Sequence, residues 1–186
     1  FMSNRWEYIA IWFGLSKAGL VTSLINNQLQ GNSLAHCLTI GQTSHAIVEA
    51  SLAEAYLSAE AAGGIEAQAW SLDGEFAGSR DFNAALQRQS TERPDPSVRA
   101  SVKSSEPVLK MFTSGTTGLP KAALMTHVRA LYYLNIFAIA AQCTEHDRLM
   151  MVLPLYHAPG AFGGVGCAPS SAASIVVVYC THNCRG

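Results

Sequence analysis

Apolar residues recur along the chain in two alternating rhythms. Across residues 5–18 they fall at helical spacing, with Ile9, Trp12, Phe13 and Ser16 on one stripe, which predicts a helix packing that stripe into a core. Asn4 stands where an N-cap is wanted, Glu7 three residues on suggests a capping box, and Gly19 supplies a stop. Residues 21–25 form a short β-branched run, a strand in expectation. Residues 33–40 place Leu34, Cys37 and Leu38 on one helical face ahead of Gly41. The alternation continues with a strand at 45–48, a helix at 52–62 ending on Gly63-Gly64, and a strand at 65–72. Asp81 then caps a brief helix running through Leu86. Strands alternating with helices predict an α/β fold, a mostly parallel sheet flanked by helices.

From 87 to 107 the periodicity stops. The stretch is polar, carries Pro94 and Pro96, and reads as a surface connection. A strand is expected at 108–112 and another at 175–179. The longest apolar run, 130–143, contains Asn135 and Gln142 between Arg129 and Glu145. It falls short of the ~20 apolar residues a bilayer crossing needs, so a buried helix is expected, with Tyr132, Tyr133 and Phe137 at helical spacing packed in the core.

Composition narrows the function classes. Hydrophobic residues make up 49% of the 186, which excludes a disordered chain. Twelve Lys and Arg against thirteen Asp and Glu give a net charge of −1, no electrostatic basis for a nucleic-acid partner. Five scattered cysteines argue against a disulfide framework and for a reducing compartment. No secretory signal pattern opens the chain, and a start on Phe1-Met2-Ser3 implies a segment taken from inside a longer protein. Cys180, His182 and Cys184 are either three zinc ligands without a second half or an unremarkable terminal segment.

The most informative residues follow the 108–112 strand. Thr113-Ser114-Gly115-Thr116-Thr117-Gly118-Leu119-Pro120-Lys121 packs four hydroxyls, two glycines and a lysine into nine residues. Glycine lets backbone approach a ligand without a Cβ in the way, successive N–H groups in a turn cradle an anion, and hydroxyls and a lysine add donors for phosphate oxygens. The sum is a pyrophosphate or triphosphate cradle; the alternative is an ordinary Ser/Thr/Gly surface turn. It is neither a Walker A sequence nor a dinucleotide fingerprint.

Residues 112–123, FTSGTTGLPKAA, resemble the signature loop of the adenylate-forming superfamily: acyl-CoA synthetases, luciferases and peptide-synthetase adenylation domains. Most members carry Lys-Gly after the proline. Lys121-Ala122-Ala123 instead resembles the branch of fatty-acid transport proteins and very-long-chain acyl-CoA synthetases. Similar to that branch are Asn4-Arg5-Trp6-Glu7-Tyr8, Trp12 to Gly19, Ser23-Leu24-Ile25-Asn26, Leu34-Ala35-His36-Cys37-Leu38 and Pro154-Leu155-Tyr156-His157. The likeness runs over residues 1–166, a partial AMP-binding N-terminal domain, with 167–186 a divergent tail such as a shifted reading frame or a prematurely ended gene model would produce.

The resemblance implies an ATP-dependent fatty acid–CoA ligase with coenzyme A as co-substrate. Thr113, Ser114, Gly115, Thr116, Thr117, Gly118 and Lys121 would bind ATP phosphates, and Thr113 would also ligate Mg²⁺. His157 would be catalytic, orienting the carboxylate or shaping the acyl tunnel; the other reading is a helix-start histidine packed near the sheet. His36, His45, His127 and His146 read as structural or exposed. Location is expected to be cytoplasmic or peripherally membrane-associated. The later superfamily motifs are absent, so these residues alone are expected to be inactive. Two further readings are a ligase for another carboxylic acid and a truncated, non-catalytic product.

Overall fold

A computed structural model describes residues 1–113 and 119–178. In chain order the helices and strands are α1 (Trp6–Lys17), β1 (Thr22–Leu24), α2 (Gly31–Ile40), β2 (His45–Glu49), α3 (Ala53–Ala62), β3 (Gln68–Leu72), β4 (Arg80–Asp81) and α4 (Phe82–Gln87). After these come β5 (Pro107–Thr113), β6 (Lys121–Thr126), α5 (His127–Ala140), β7 (Arg148–Met151), α6 (Val165–Ser171) and β8 (Ser174–Val177). The described residues fall into two compact units: residues 1–2, 25–95, 112–113 and 119–123, and residues 3–24, 96–111 and 124–178. The pairings β1–β5, β2–β3, β3–β4 and β7–β8 are all parallel, so the α/β reading with a mostly parallel sheet holds.

The first unit is a strand–helix–strand arrangement closed by side chains. β2 pairs with β3 from His45↔Gln68 to Glu49↔Leu72. Leu34, Cys37, Val48, Tyr56 and Ala59 form the centre of its core, all without solvent exposure. α2 and α3 are tied by the Gly31 N–H donating to Ser58 Oγ at 2.9 Å. Gly63 and Gly64 end α3 at φ +88° and +84°, the left-handed region only glycine adopts cheaply. Asp81 caps α4 as expected, accepting from the Ala84 N–H at 2.9 Å.

In the second unit, α1 ends in a Schellman turn: Gly19 (φ +74°) donates its N–H to Ser16 O and Leu20 donates to Leu15 O. Its start departs from expectation. The N-cap is Arg5, with no side-chain cap bond, and Glu7 pairs with Arg5 through two contacts of 2.7 Å. Asn4 is committed elsewhere, to residues near position 154. Of the expected stripe only Trp12 is fully buried, joined by Tyr8, while Ile9 and Phe13 are half-buried. Trp12 meets Phe162 edge-on at 6.2 Å, and Tyr133 stacks obliquely on Phe162 at 5.5 Å.

The expectation for α5 is corrected more sharply. Only Ala130, Leu134 and Ala138 are buried; Tyr132 is 61% and Phe137 39% exposed, with only Tyr133 of the three aromatic residues substantially packed. The buried ridge is every fourth residue, and it is narrow because α6 comes very close: a Cβ at Gly166 would lie 2.5 Å from the Leu134 carbonyl oxygen. The polar connection at 87–107 is exposed through most of its length, with a 3₁₀ turn at Pro96–Arg99.

Candidate functional site

The glycine- and hydroxyl-rich loop leaves β5 at Thr113 and returns into β6 at Lys121. Ser114, Gly115, Thr116, Thr117 and Gly118 lie outside the described residues. The two arms are described, and both belong to the first unit. On the incoming arm, Phe112 is half-buried against the apolar core that includes Leu34, Ala35 and Leu38. On the outgoing arm, the Pro120 carbonyl is hydrogen-bonded to His36 Nε2 at 3.0 Å. An apolar contact and a hydrogen bond therefore fasten the arms of the loop to the α2 side of that unit.

Thr113 and Lys121 are exposed at the ends of neighbouring strands. Lys121 forms no ion pair among the described residues. An exposed hydroxyl and an exposed ammonium, neither with a side-chain partner among the described residues, suit an anionic ligand rich in acceptor oxygens. No group of three or more His, Cys, Asp or Glu among the described residues could hold a metal ion. The Thr113 hydroxyl is an oxygen donor that could serve a Mg²⁺ ion as a single protein ligand, which would suit magnesium's reluctance to lose its waters. Cys180, His182 and Cys184 lie outside the described residues.

His157 sits in the second unit. Its N–H donates to Pro154 O at 3.1 Å and its carbonyl accepts from the Ala161 N–H at 2.8 Å. It thus stands at the entry to a π-helical segment, Pro159–Gly164, that runs into α6. The ring is exposed and lies 4.6 Å from that of Tyr156. Burial pushes the Tyr156 phenol upward. It does the same to Tyr8, which Tyr156 reinforces electrostatically, so both phenols stay neutral.

One residue that sequence reasoning assigned differently organises this segment. Asn4 donates from Nδ2 to Leu153 O at 2.8 Å and accepts on Oδ1 from the Leu155 N–H at 2.9 Å. A single amide thus holds the backbone on both sides of Pro154, as a peptide unit in a ladder would. Position 4, next to a helix start, gives no local signal for partners about 150 residues away. The first unit also has an open cavity of about 490 Å³ beside Thr39, Gln42, Thr43 and Gly64; it includes none of the expected site residues.

Residues 1–183 match the family described as AMP-binding enzyme, and the chain belongs to that family. It is 33% identical over 168 residues to long-chain fatty acid transport protein 6 of Mus musculus, a match covering 89% of this chain and 27% of the mouse protein. It is 34% identical over 166 residues to long-chain fatty acid transport protein 3 of Homo sapiens, covering 87% of this chain and 24% of that one. The chain therefore spans about a quarter of the length of these curated relatives. Among solved structures it resembles an anthranilate CoA ligase in complex with anthranoyl-AMP, with TM-score 0.87 at 20% identity over 97% of this chain and 35% of that one. It also resembles a long-chain-fatty-acid-CoA ligase from Archaeoglobus fulgidus, with TM-score 0.79 at 22% identity over 97% and 34%. These two likenesses establish the fold. No helix among the described residues is long and apolar enough to cross a membrane.

Proposed function

We propose that this chain supplies the phosphate-gripping part of an ATP-dependent fatty acid–CoA ligase, working with the remaining length that such an enzyme requires. The observation that carries the reading is the pair of exposed donors, Thr113 and Lys121, without a hydrogen-bond or ion-pair partner among the described residues, at the two ends of a loop whose arms are fastened to a packed core. In the reaction a carboxylate oxygen attacks the α-phosphorus of ATP; the new bond gives acyl-AMP and the bond to pyrophosphate breaks. The thiolate of coenzyme A then attacks the acyl carbonyl carbon and AMP leaves. Lys121 and the loop from Thr113 through Ser114, Gly115, Thr116, Thr117 and Gly118 hold the β- and γ-phosphates and neutralise charge building on the departing pyrophosphate. Thr113 would be among the ligands of Mg²⁺, which would supply further charge neutralisation when bound. His157 orients the carboxylate. Membership of the AMP-binding family and relatives named for long-chain fatty acid transport support the choice of substrate class.

The test is fatty-acid-dependent ATP–pyrophosphate exchange by the gene product that carries this segment with its flanking coding sequence. Palmitate should drive exchange, and Lys121→Ala should lower the rate about a hundredfold or more, the scale of losing a preorganised charge-stabilising donor. Exchange with short aromatic acids but not palmitate would move the substrate to another carboxylate. Absence of exchange with any acid would remove the ligase reading.

A further inference from the structure

The hydrogen bond between His36 and Pro120 has no part in packing the core, yet it reaches the residue immediately before the loop lysine. We infer that His36 is a positioning residue for the nucleotide site: by donating from Nε2 to the Pro120 carbonyl it fixes the peptide that carries Lys121. This rests on the ligase reading above, and it names a role for a side chain that by sequence pattern is merely structural.

The argument begins with peptide geometry. The Pro120 carbonyl and the Lys121 N–H belong to one planar unit, so holding the oxygen also sets the direction of the N–H and the start of the Lys121 side chain. Proline contributes a fixed φ on the other side. What remains free is rotation about ψ of Pro120, and one hydrogen bond to the carbonyl removes it. The carbonyl oxygen can only accept, so Nε2 must carry a proton.

The donor is mounted on a rigid support. On α2 its neighbours Leu34, Ala35, Cys37 and Leu38 are all buried, and α2 packs against α3 through the Gly31–Ser58 bond. His36 itself is half-buried, so its bond is partly shielded from competing water. The incoming arm is packed through Phe112 on the same core. The loop thus has an apolar anchor at one end and a polar, direction-giving one at the other. A donor already held in place binds phosphate without the cost of being ordered first, and His36 provides that preorganisation for Lys121.

Three variants and one spectrum test this. In the gene product used for exchange, His36→Phe keeps a ring of similar size without the donor, and His36→Gln keeps an N–H at comparable reach. His36→Phe should raise KM for ATP roughly fivefold to tenfold, the worth of one net hydrogen bond, with KM for palmitate unchanged. His36→Gln should stay within about twofold of wild type. In a Lys121→Ala background His36→Phe should have no further effect on KM for ATP, because the group it positions is gone. A role in folding alone would lower kcat through lost active protein and leave both KM values in place. Independently of activity, long-range proton–nitrogen spectra of the 186-residue chain should show the His36 ring, assigned by its loss in His36→Phe, as the Nε2-protonated tautomer at pH 8. The inference is overturned by an unchanged KM for ATP in His36→Phe, by Gln behaving like Phe, or by an Nδ1-protonated ring. If the wild type shows no exchange at all, the ligase reading fails while the tautomer still decides the hydrogen bond.

Discussion

Helices α2 and α5 are both apolar, and their units use them differently. On α2, Leu34, Ala35, Cys37 and Leu38 are all buried, and the residues outside that stripe are small or polar except for the half-buried Ile40 at its end. On α5, Ala130, Leu134 and Ala138 are buried while Leu131, Tyr132, Ile136, Phe137 and Ile139 remain exposed. One helix is amphipathic and its unit satisfies it; the other is apolar on more faces than its unit covers. Burial in these units follows the number of elements that come within reach, and hydrophobicity alone does not decide it.

The largest effect that would break this contrast is a truncation at matched chemistry. Leu34→Ala should cost about 2–5 kcal/mol, since Leu34 has no exposure and its neighbours can relax only partly into the void. Leu131→Ala, at 57% exposure, should change stability by no more than about 0.5 kcal/mol. Urea titrations followed by tryptophan fluorescence would separate the units, because Trp70 lies in the first and Trp6 and Trp12 in the second. Equal losses at the two positions would mean that α5 is covered as fully as α2.

The same contrast explains what was legible in the sequence. The stripe of α2 has period 3.6 with polar residues between, so Leu34, Cys37 and Leu38 could be placed in a core from the pattern. In α5 nearly every position is apolar, and periodicity then says that a helix forms without saying which side is buried. The ridge Ala130–Leu134–Ala138 is selected by close approach of α6 at Gly166, a tertiary fact with no local trace. For the candidate site, the loop stood out because its residue types are chemically unusual together. The residues that fix backbone by side-chain hydrogen bonds did not: His36 reaches Pro120 through one bond across 84 positions, and Asn4 holds residues 153–155 through two, across 149 and 151, while carrying a misleading local signal as a helix cap.

Gly166→Ala probes the ridge directly. Its added Cβ would meet Leu134 backbone atoms at 2.5 and 2.7 Å, and backbone cannot swing aside as a side-chain tip can. A loss of about 1–3 kcal/mol is expected, read from the second unit's fluorescence transition. Gly14→Ala, where a Cβ would meet nothing within 4 Å inside α1, should instead be neutral or stabilising by up to about 1 kcal/mol.

Asn4→Ala comes next, at about 1–2 kcal/mol, because it removes both the donor to Leu153 O and the acceptor for the Leu155 N–H, and Leu155 is 1% exposed. Asn4→Asp keeps the acceptor and loses the donor, so it should recover part of that loss. Hydrogen exchange at the Leu155 amide distinguishes the two: fast in Asn4→Ala, still protected in Asn4→Asp. If Asn4 were a helix cap after all, exchange would instead rise in the first turn of α1.

The smallest effect lies at the turn joining α5 to β7. Asp147 accepts from the Thr144 N–H at 2.7 Å and from its hydroxyl at 3.0 Å, and these bonds hold its carboxyl below the ordinary value of 3.8. A carboxylate depressed in the folded state contributes stability that is present above its unfolded pKa and is lost as pH falls through the folded one. Wild type should therefore exceed Asp147→Asn slightly at neutral pH, with the gap closing below about pH 4. Although the turn is exposed, the gap should shrink little with salt, because it comes chiefly from the two short hydrogen bonds to Thr144, with only a minor contribution from the charge of His146. A gap that widened on acidification would mean that the protonated carboxyl is the better partner for Thr144, reversing the order of donor and acceptor in this turn.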